Sequence, residues 1–326
     1  MKSNKLFYVL CFFSLLAFGQ SEKHRLIILA DMGNEPDEEQ QMVHMLMYSN
    51  EFDLEGLIAV SGKYLHSEHR LPERQRLYPD LFEKLIHGYS KVFENLKKHV
   101  NDWPEPSYLK SIVASGQPGY GMDDVGEGRS TTGSKLLNKA FEKKDPRLIY
   151  IVVNAGSNTL AQALNDYKST HTETDLLSVI KKLRVFENGA QDNAGAWICA
   201  SYPEIHWTRS NYQTYAYGGP AWAWGNSNDD DKKGPHSWKP YAYNAVGQHQ
   251  WAIEHIKNHG ALGGLYPLRE TPTGKIVFIE GGGTIPWLGL IHQGLSDINQ
   301  PSWGGWSGRF SVEKIKNVAS RHKIVN

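Results

Sequence analysis

Residues 26–30 read Leu-Ile-Ile-Leu-Ala and run directly into a crowd of carboxylates: Asp31, Glu35, Asp37, Glu38 and Glu39, broken by Gly33, Asn34 and Pro36. An apolar run this short suits a buried strand better than a helix. Met42, Met45 and Leu46 then recur at helical spacing. The acids therefore fall on the turn between a strand's carboxyl end and a helix start, which in open α/β sheets is where ligands bind. Acids in a first helical turn also complement the helix dipole, and Pro36 suits a helix start. That accounts for Asp37, Glu38 and Glu39 but leaves Asp31 and Glu35, on the strand side, unexplained. Carboxylates packed at one strand end repel one another unless a cation or bound hydroxyls offset them. Oxygen ligands of this kind suit Ca²⁺ or Mg²⁺.

The pattern repeats along the chain. Residues 54–60, 148–153, 183–186 and 275–279 read as buried strands, each followed by polar residues. These are Ser61 after the first, Asn154 and Asn158 after the second, Glu187, Asn188, Asp192 and Asn193 after the third, and Glu280 after the last. Asn158 has two readings, ligand contact or helix N-cap, and Asn188-Gly189 is by itself a turn former. Residues 72–113 carry apolar positions at helical spacing and read as scaffold. Residues 116–128 form a glycine-rich loop without the lysine and Ser/Thr of a phosphate-binding loop. Tryptophans cluster later, with Trp222 and Trp224 beside glycines and prolines, and flat indoles either stack on sugar rings or fill cores. His66 and His69 read as residues of a solvated loop, with substrate contact as the alternative, and His236 and His249 as surface or internally satisfied histidines, with proton donation as the alternative.

The chain has 326 residues with 35 basic and 35 acidic side chains. With no basic surplus, nucleic acid is not an expected partner. Lys2 and Lys5 precede an apolar segment, 6–18, that ends in Ala17-Phe18-Gly19-Gln20. This reads as a secretory signal peptide cleaved after Gly19, with 20–326 as a single domain in the periplasm or outside the cell. The apolar segment is short for a membrane span, so no membrane role beyond export is expected. Removing the leader leaves Cys199 as the one cysteine, which excludes an internal disulfide. In its Ala-Trp-Ile-Cys-Ala setting it reads as a small buried hydrophobe.

Asp31 to Gln40 matches the pattern D-x-G-[GN]-[DE]-P-D-[DE]-E-Q. Gly116 to Gly128 matches G-x-P-x-Y-G-M-x-x-V-G-E-G, Gly156 to Leu164 matches G-x-N-T-L-A-Q-A-L, and Gln191 to Gly195 matches Q-D-[DN]-A-G. Pro301 to Phe310 matches P-S-[WY]-G-G-W-x-G-R-[FY]. In these segments the chain resembles the nucleoside-hydrolase-like domain of Sde182-type cellulose-binding proteins, a branch of the nucleoside hydrolase superfamily.

The resemblance implies an open, mostly parallel Rossmann-like α/β sheet flanked by helices. It also implies a Ca²⁺-dependent site for a carbohydrate or nucleoside. Carried over residue by residue, Asp31, Glu35 and Asp37 are the candidate catalytic carboxylates. Asp31, Glu35, Glu38, the Asn154 region and Glu280 are the candidate metal ligands. Asn34, Asn158, Glu187, Asn188, Asp192, Asn193, Trp222 and Trp303 are the candidate substrate contacts. One departure stands out: the second Asp of the nucleoside hydrolase D-x-D-x-G-x-D-D turn falls on Gly33. Glu35 is then the nearest carboxylate to replace it, and the expected activity broadens from nucleosides to other N-glycosyl or furanosyl O-glycosyl bonds. The rival expectation is a non-catalytic carbohydrate-binding protein on the same fold.

Overall fold

A computed structural model describes residues 22–210, 252–270, 277–278, 282–291, 297, 299–307 and 310–311. Residues 1–19, read above as a signal peptide, and Trp222, Trp224, His236, His249 and Glu280 lie outside the described residues.

The core is a six-stranded sheet in which every ladder is parallel. Its strands are β1 (His24–Ala30), β2 (Phe52–Ala59), β3 (Val113–Ser115), β4 (Ile149–Val153), β5 (Leu183–Asn188) and β6 (His206–Ser210). The order is β3-β2-β1-β4-β5-β6. The chain first winds outward from β1 through β2 to β3, then returns to β4 on β1's other side. The winding reverses between β1 and β4, and a reversal of this kind opens a crevice at the strands' carboxyl ends.

A parallel sheet is covered on both faces, so its strands are apolar throughout. In β1, Leu26, Ile28 and Ala30 face one apolar cluster, and Ile27 and Leu29 face another. The first cluster is closed by α1 (Pro36–Leu46), through Met42 and Met45, and by α2 (Pro79–Leu96), through Phe82 and Leu85. The second is closed by α4 (Thr132–Glu142), α5 (Ser157–Thr170), α6 (Glu173–Lys182) and α7 (Ala194–Ser201), through Leu137, Leu160, Ile180 and Ile198. No helix among the described residues is long and apolar enough to cross a membrane.

Two expectations change. Residues 72–113 are not one helix: α2 begins at Pro79, α3 (Pro106–Ser111) follows after a break, and Val113–Ser115 is strand. Pro104 and Pro106 impose that break, because proline disfavours helix in the residue before it. The late apolar run does not extend the parallel sheet either. Val277–Phe278 pairs antiparallel with Arg269–Glu270 in a separate two-stranded sheet, and β6 takes the place beside β5.

Charges are treated differently at the two ends of the sheet. At the amino ends, Arg25 is fully buried and forks onto Glu55, with Nε to Oε1 at 2.9 Å and Nη2 to Oε2 at 2.7 Å. Lys143 adds a third contact to Glu55 at 2.6 Å. Burial opposes the Glu55 charge, but these hydrogen bonds outweigh it and hold the carboxyl below its usual range. At the carboxyl end of β1, by contrast, Asp31 and Glu38 are buried beside other acids rather than forked onto an arginine.

Candidate functional site

Asp31 follows β1 directly, and a tight turn joins it to α1. The Asn34 backbone N–H donates to the Asp31 carbonyl at 3.0 Å, and Gly33 inside the turn has φ +86°. A side chain there would be strained. A Cβ would also press on the Tyr78 ring at 3.0 Å and on Leu81 at 3.1 Å. The position where the resemblance lacks its second Asp is therefore one where this backbone excludes a side chain.

The turn and the first turn of α1 bring the acids together. Asp31, Asp37 and Glu38 are essentially inaccessible to solvent, and Glu35 is half-buried at the helix N-cap. Asp37 and Glu38 lie in the first turn of α1 and complement its dipole, but burying both side chains adds a cost beyond what that dipole offsets. Glu39, half-buried and 3.6 Å from Lys84 Nζ, fits that simpler role. Burial pushes the Asp31 carboxyl up to about 7, with repulsion from Asp37 and Glu35 adding to it. Burial likewise drives Glu38 well above the carboxylate range, reinforced by Asp37 and Asp31. Asp31 Oδ1 and Glu38 Oε2 are buried with no hydrogen-bond partner among the described residues.

Asn34 is fixed on both sides. Its Nδ2 donates to Asp31 Oδ2 at 2.9 Å, and its Oδ1 accepts from Arg74 Nη1 at 3.0 Å. Arg74 also donates to the Tyr64 carbonyl at 3.2 Å, tying the loop after β2 to the acidic turn.

Across the crevice, Asn154 follows β4. Its Nδ2 donates to Gln41 Oε1 at 2.5 Å, its Oδ1 accepts from Asn188 Nδ2 at 3.4 Å, and its carbonyl accepts from Gln191 Nε2 at 3.4 Å. A Cβ on Gly283 would lie 2.6 Å from Gln41 Oε1 and 2.9 Å from Asn154 Nδ2, so the turn after Glu280 packs on these two amides. His44, on the same helix as Gln41, pairs through Nδ1 with Thr284 Oγ1 at 2.7 Å.

Asn158 is not the N-cap of α5; Gly156, at φ +64°, holds that position. The Asn158 backbone N–H donates to Asp192 Oδ2 at 3.1 Å, and its Nδ2 donates to the Gly119 carbonyl at 2.9 Å. Asp192 is buried and also accepts from the Ala194 N–H at 2.9 Å. Burial still prevails over these donors and pushes its carboxyl up to about 6. Asn193 Oδ1 accepts from the Met122 N–H at 2.9 Å. Together with Asn158, it pins the glycine-rich loop over the rim. That loop also brings Tyr120 to the rim, where Asp192 adds to burial in raising the phenol.

Glu187 is placed differently from the rest. Its Oε1 accepts from Ser157 Oγ at 3.2 Å, and its Oε2 accepts from Trp207 Nε1 at 3.0 Å and Arg209 Nε at 2.6 Å. Trp303 is exposed, as is Trp306. The Pro301 and Gly304 that bracket the Trp303 turn line a shallow groove with Phe186, Thr208, Pro286 and Asp297.

The geometry therefore gathers Asp31, Asn34, Glu35, Asp37, Glu38, Asn154, Asn158, Asp192 and Asn193 around the crevice. Gln41, Gly62, Arg74, Tyr120 and Gln191 join them unannounced; of these, Gln191 had a signal, as the first residue of the Q-D-N-A-G segment. The oxygen donors and the unpartnered buried carboxylate atoms are of a kind that suits Ca²⁺. Among the described residues, no group of three or more His, Cys, Asp or Glu is placed to hold a metal ion.

The profile of the family described as cellulose-binding Sde182, nucleoside hydrolase-like domain, matches residues 25–310. Among solved structures, the chain is similar to a nucleoside hydrolase-related hypothetical protein from Saccharophagus degradans described as associated with carbohydrate metabolism. The two are 34% identical with a TM-score of 0.69, over 88% of this chain and 59% of that one. This chain thus spans less than two thirds of that relative's length. No curated protein matches it. With the profile match running through the whole described sheet, the chain belongs to the Sde182 nucleoside hydrolase-like family.

Proposed function

We propose that the acidic crevice is the active site of a glycosyl hydrolase acting on N-glycosyl or furanosyl O-glycosyl bonds. The observation that carries this reading is the Asp31 carboxyl. It is fully buried, pushed up to about 7, and has one oxygen without a donor among the described residues. A carboxylate poised near neutrality accepts a proton from water more readily than one of ordinary pKa. Asp37 and Glu35 place further negative charge beside it, which favours an oxocarbenium-like transition state. Asp192, at about 6, is a second group able to exchange a proton near neutral pH.

Asp31, Glu35, Glu38, the Asn154 carbonyl and Glu280 are the residues that would hold Ca²⁺. A bound Ca²⁺ would orient ligand hydroxyls and lower the pKa of a bound water. Bound Ca²⁺ would also bring Asp31 and Glu38 back towards the ordinary carboxylate range, so in the loaded site Asp31 would serve as base through its position rather than through a raised pKa. If residues 1–19 act as a signal peptide, this activity would lie in the periplasm or outside the cell, which N-terminal sequencing of the mature protein checks.

A second reading, a carbohydrate-binding protein without catalysis, draws on Trp303 and Trp306. They stand 63% and 56% exposed on either side of two glycines, and exposed indoles suit sugar faces.

The deciding experiment is calorimetric titration of Ca²⁺ into chelator-stripped protein, comparing wild type with Asp31→Ala. A screen of nucleosides and furanosides for released sugar follows. Saturable Ca²⁺ binding that is lost in the variant, with turnover, supports the hydrolase. Sugar binding without turnover moves the assignment to the binding protein. Absence of Ca²⁺ binding discards the metal.

A further inference from the structure

Asn34 holds Asp31 at two points. Its backbone N–H donates to the Asp31 carbonyl at 3.0 Å, and its Nδ2 donates to Asp31 Oδ2 at 2.9 Å. The other end of the same amide, Oδ1, accepts from Arg74 Nη1 at 3.0 Å. A side-chain amide donates at one end and accepts at the other, and a half-turn exchanges the two. Turned the other way, the Asn34 carbonyl would face the Asp31 carboxylate and its NH₂ would face a guanidinium. Both contacts would then set like against like. Arg74 therefore fixes the sense of the Asn34 amide from the side away from Asp31.

Arg74 is itself braced. It closes a 3₁₀ turn, Pro72–Arg74, where its N–H donates to the Leu71 carbonyl at 2.9 Å. Its carbonyl accepts from the His66 N–H at 2.9 Å, and its Nη1 also donates to the Tyr64 carbonyl at 3.2 Å.

Arg25 and Glu55 show the alternative. Arg25 forks directly onto Glu55 and engages both of its oxygens. Such a fork neutralises a carboxylate and leaves it no free oxygen at that edge. At Asp31 the interposed amide engages Oδ2, while Oδ1 has no hydrogen-bond partner among the described residues. A cation that acts through a neutral amide orients the carboxylate without capping it.

We propose that Arg74 is a positioning residue for Asp31, acting through the Asn34 amide to hold one carboxylate oxygen in place and leave the other uncommitted. This rests on Asp31 being the base of the proposed glycosyl site. The loop after β2 then sets the geometry of a group that follows β1.

The test compares wild type with Arg74→Ala, Arg74→Lys, Asn34→Leu and the double variant Arg74→Ala/Asn34→Leu, each checked for folding by circular dichroism. Initial rates of sugar release are measured with inosine and with para-nitrophenyl α-L-arabinofuranoside. Arg74→Ala lowers kcat about tenfold and leaves KM nearly unchanged, because a misplaced base loses rate rather than binding. Arg74→Lys keeps a cationic donor and recovers most of the rate. The double variant is no slower than Asn34→Leu alone, since Arg74 has no route to Asp31 once the amide is gone. If the losses of the two single variants multiply in the double, Arg74 acts by tethering the loop through Tyr64 and the proposal is overturned. NMR of the Asn34 side-chain amide gives a readout independent of turnover. Its hydrogen exchange accelerates about tenfold in Arg74→Ala and stays slow in Arg74→Lys. Unchanged exchange in Arg74→Ala overturns the proposal. If wild type releases sugar from neither probe, the hydrolase assignment falls, and the amide exchange alone decides whether Arg74 orients Asn34.

Discussion

Arg209 Nε donates to Glu187 Oε2 at 2.6 Å, and this pairing turns inward a carboxylate at the very end of β5. Glu187 is 1% exposed, so removing its partner would leave a buried charge unmatched. Arg209→Ala is expected to destabilise the protein by about 3 kcal/mol. The double variant Arg209→Ala/Glu187→Gln should recover much of that loss. Urea unfolding of the set measures it. Equal losses in the single and double variants would show that the arginine matters only through packing.

A pH dependence follows from Asp31 and Asp192. Their carboxyls stand at about 7 and about 6 in the folded chain, against an ordinary 3.8. Between about pH 4 and pH 7 the folded protein holds protons that the unfolded chain has released, so stability falls as pH rises through that window. Melting temperature should be higher at pH 5 than at pH 8. Asp31→Asn should flatten the dependence, and Ca²⁺ should raise the melting temperature most at the alkaline end. A melting temperature that rises steadily from pH 5 to pH 8 would contradict both assignments.

The glycine-rich loop depends on Asn193 for one hydrogen bond, to the Met122 N–H. Asn193→Ala leaves that donor without its acceptor, at a cost of about 1 kcal/mol. Hydrogen exchange should accelerate over 119–124 and leave β1 and β4 unchanged. Unaltered exchange there would mean that Asp124 and Asn158, which also grip Gly119, suffice.

Ala190 has φ +51°, the one non-glycine residue with positive φ among those described. The left-handed conformation costs an L-residue about 1 kcal/mol. Ala190→Gly is therefore expected to stabilise by up to about 1 kcal/mol in a urea melt. A loss of stability would show that the methyl group is itself a packing contact.

The acidic turn was legible because its apolar strand and its carboxylates are contiguous in sequence. The parallel sheet followed from strands alternating with helices. What escaped depends on partners distant along the chain. Nothing near Glu187 in sequence announces Arg209, and nothing near Asn34 announces Arg74, forty residues on. β3 is three residues long, too short for periodicity to register against a helical background. The N-cap reading of Asn158 failed because Gly156, free to adopt positive φ, takes that position two residues earlier.

Each ladder in this sheet is parallel, and that has a consequence in time. No pair of strands can close as a hairpin, since every neighbour waits for a crossover. β1 emerges first but meets β4 only after residues 149–153 exist. The elevated proton affinity of Asp31 thus belongs to the closed crevice, not to β1 or its turn alone. A folding intermediate with β1 and β2 paired but β4 undocked would differ from the native protein in charge before it differed much in secondary structure.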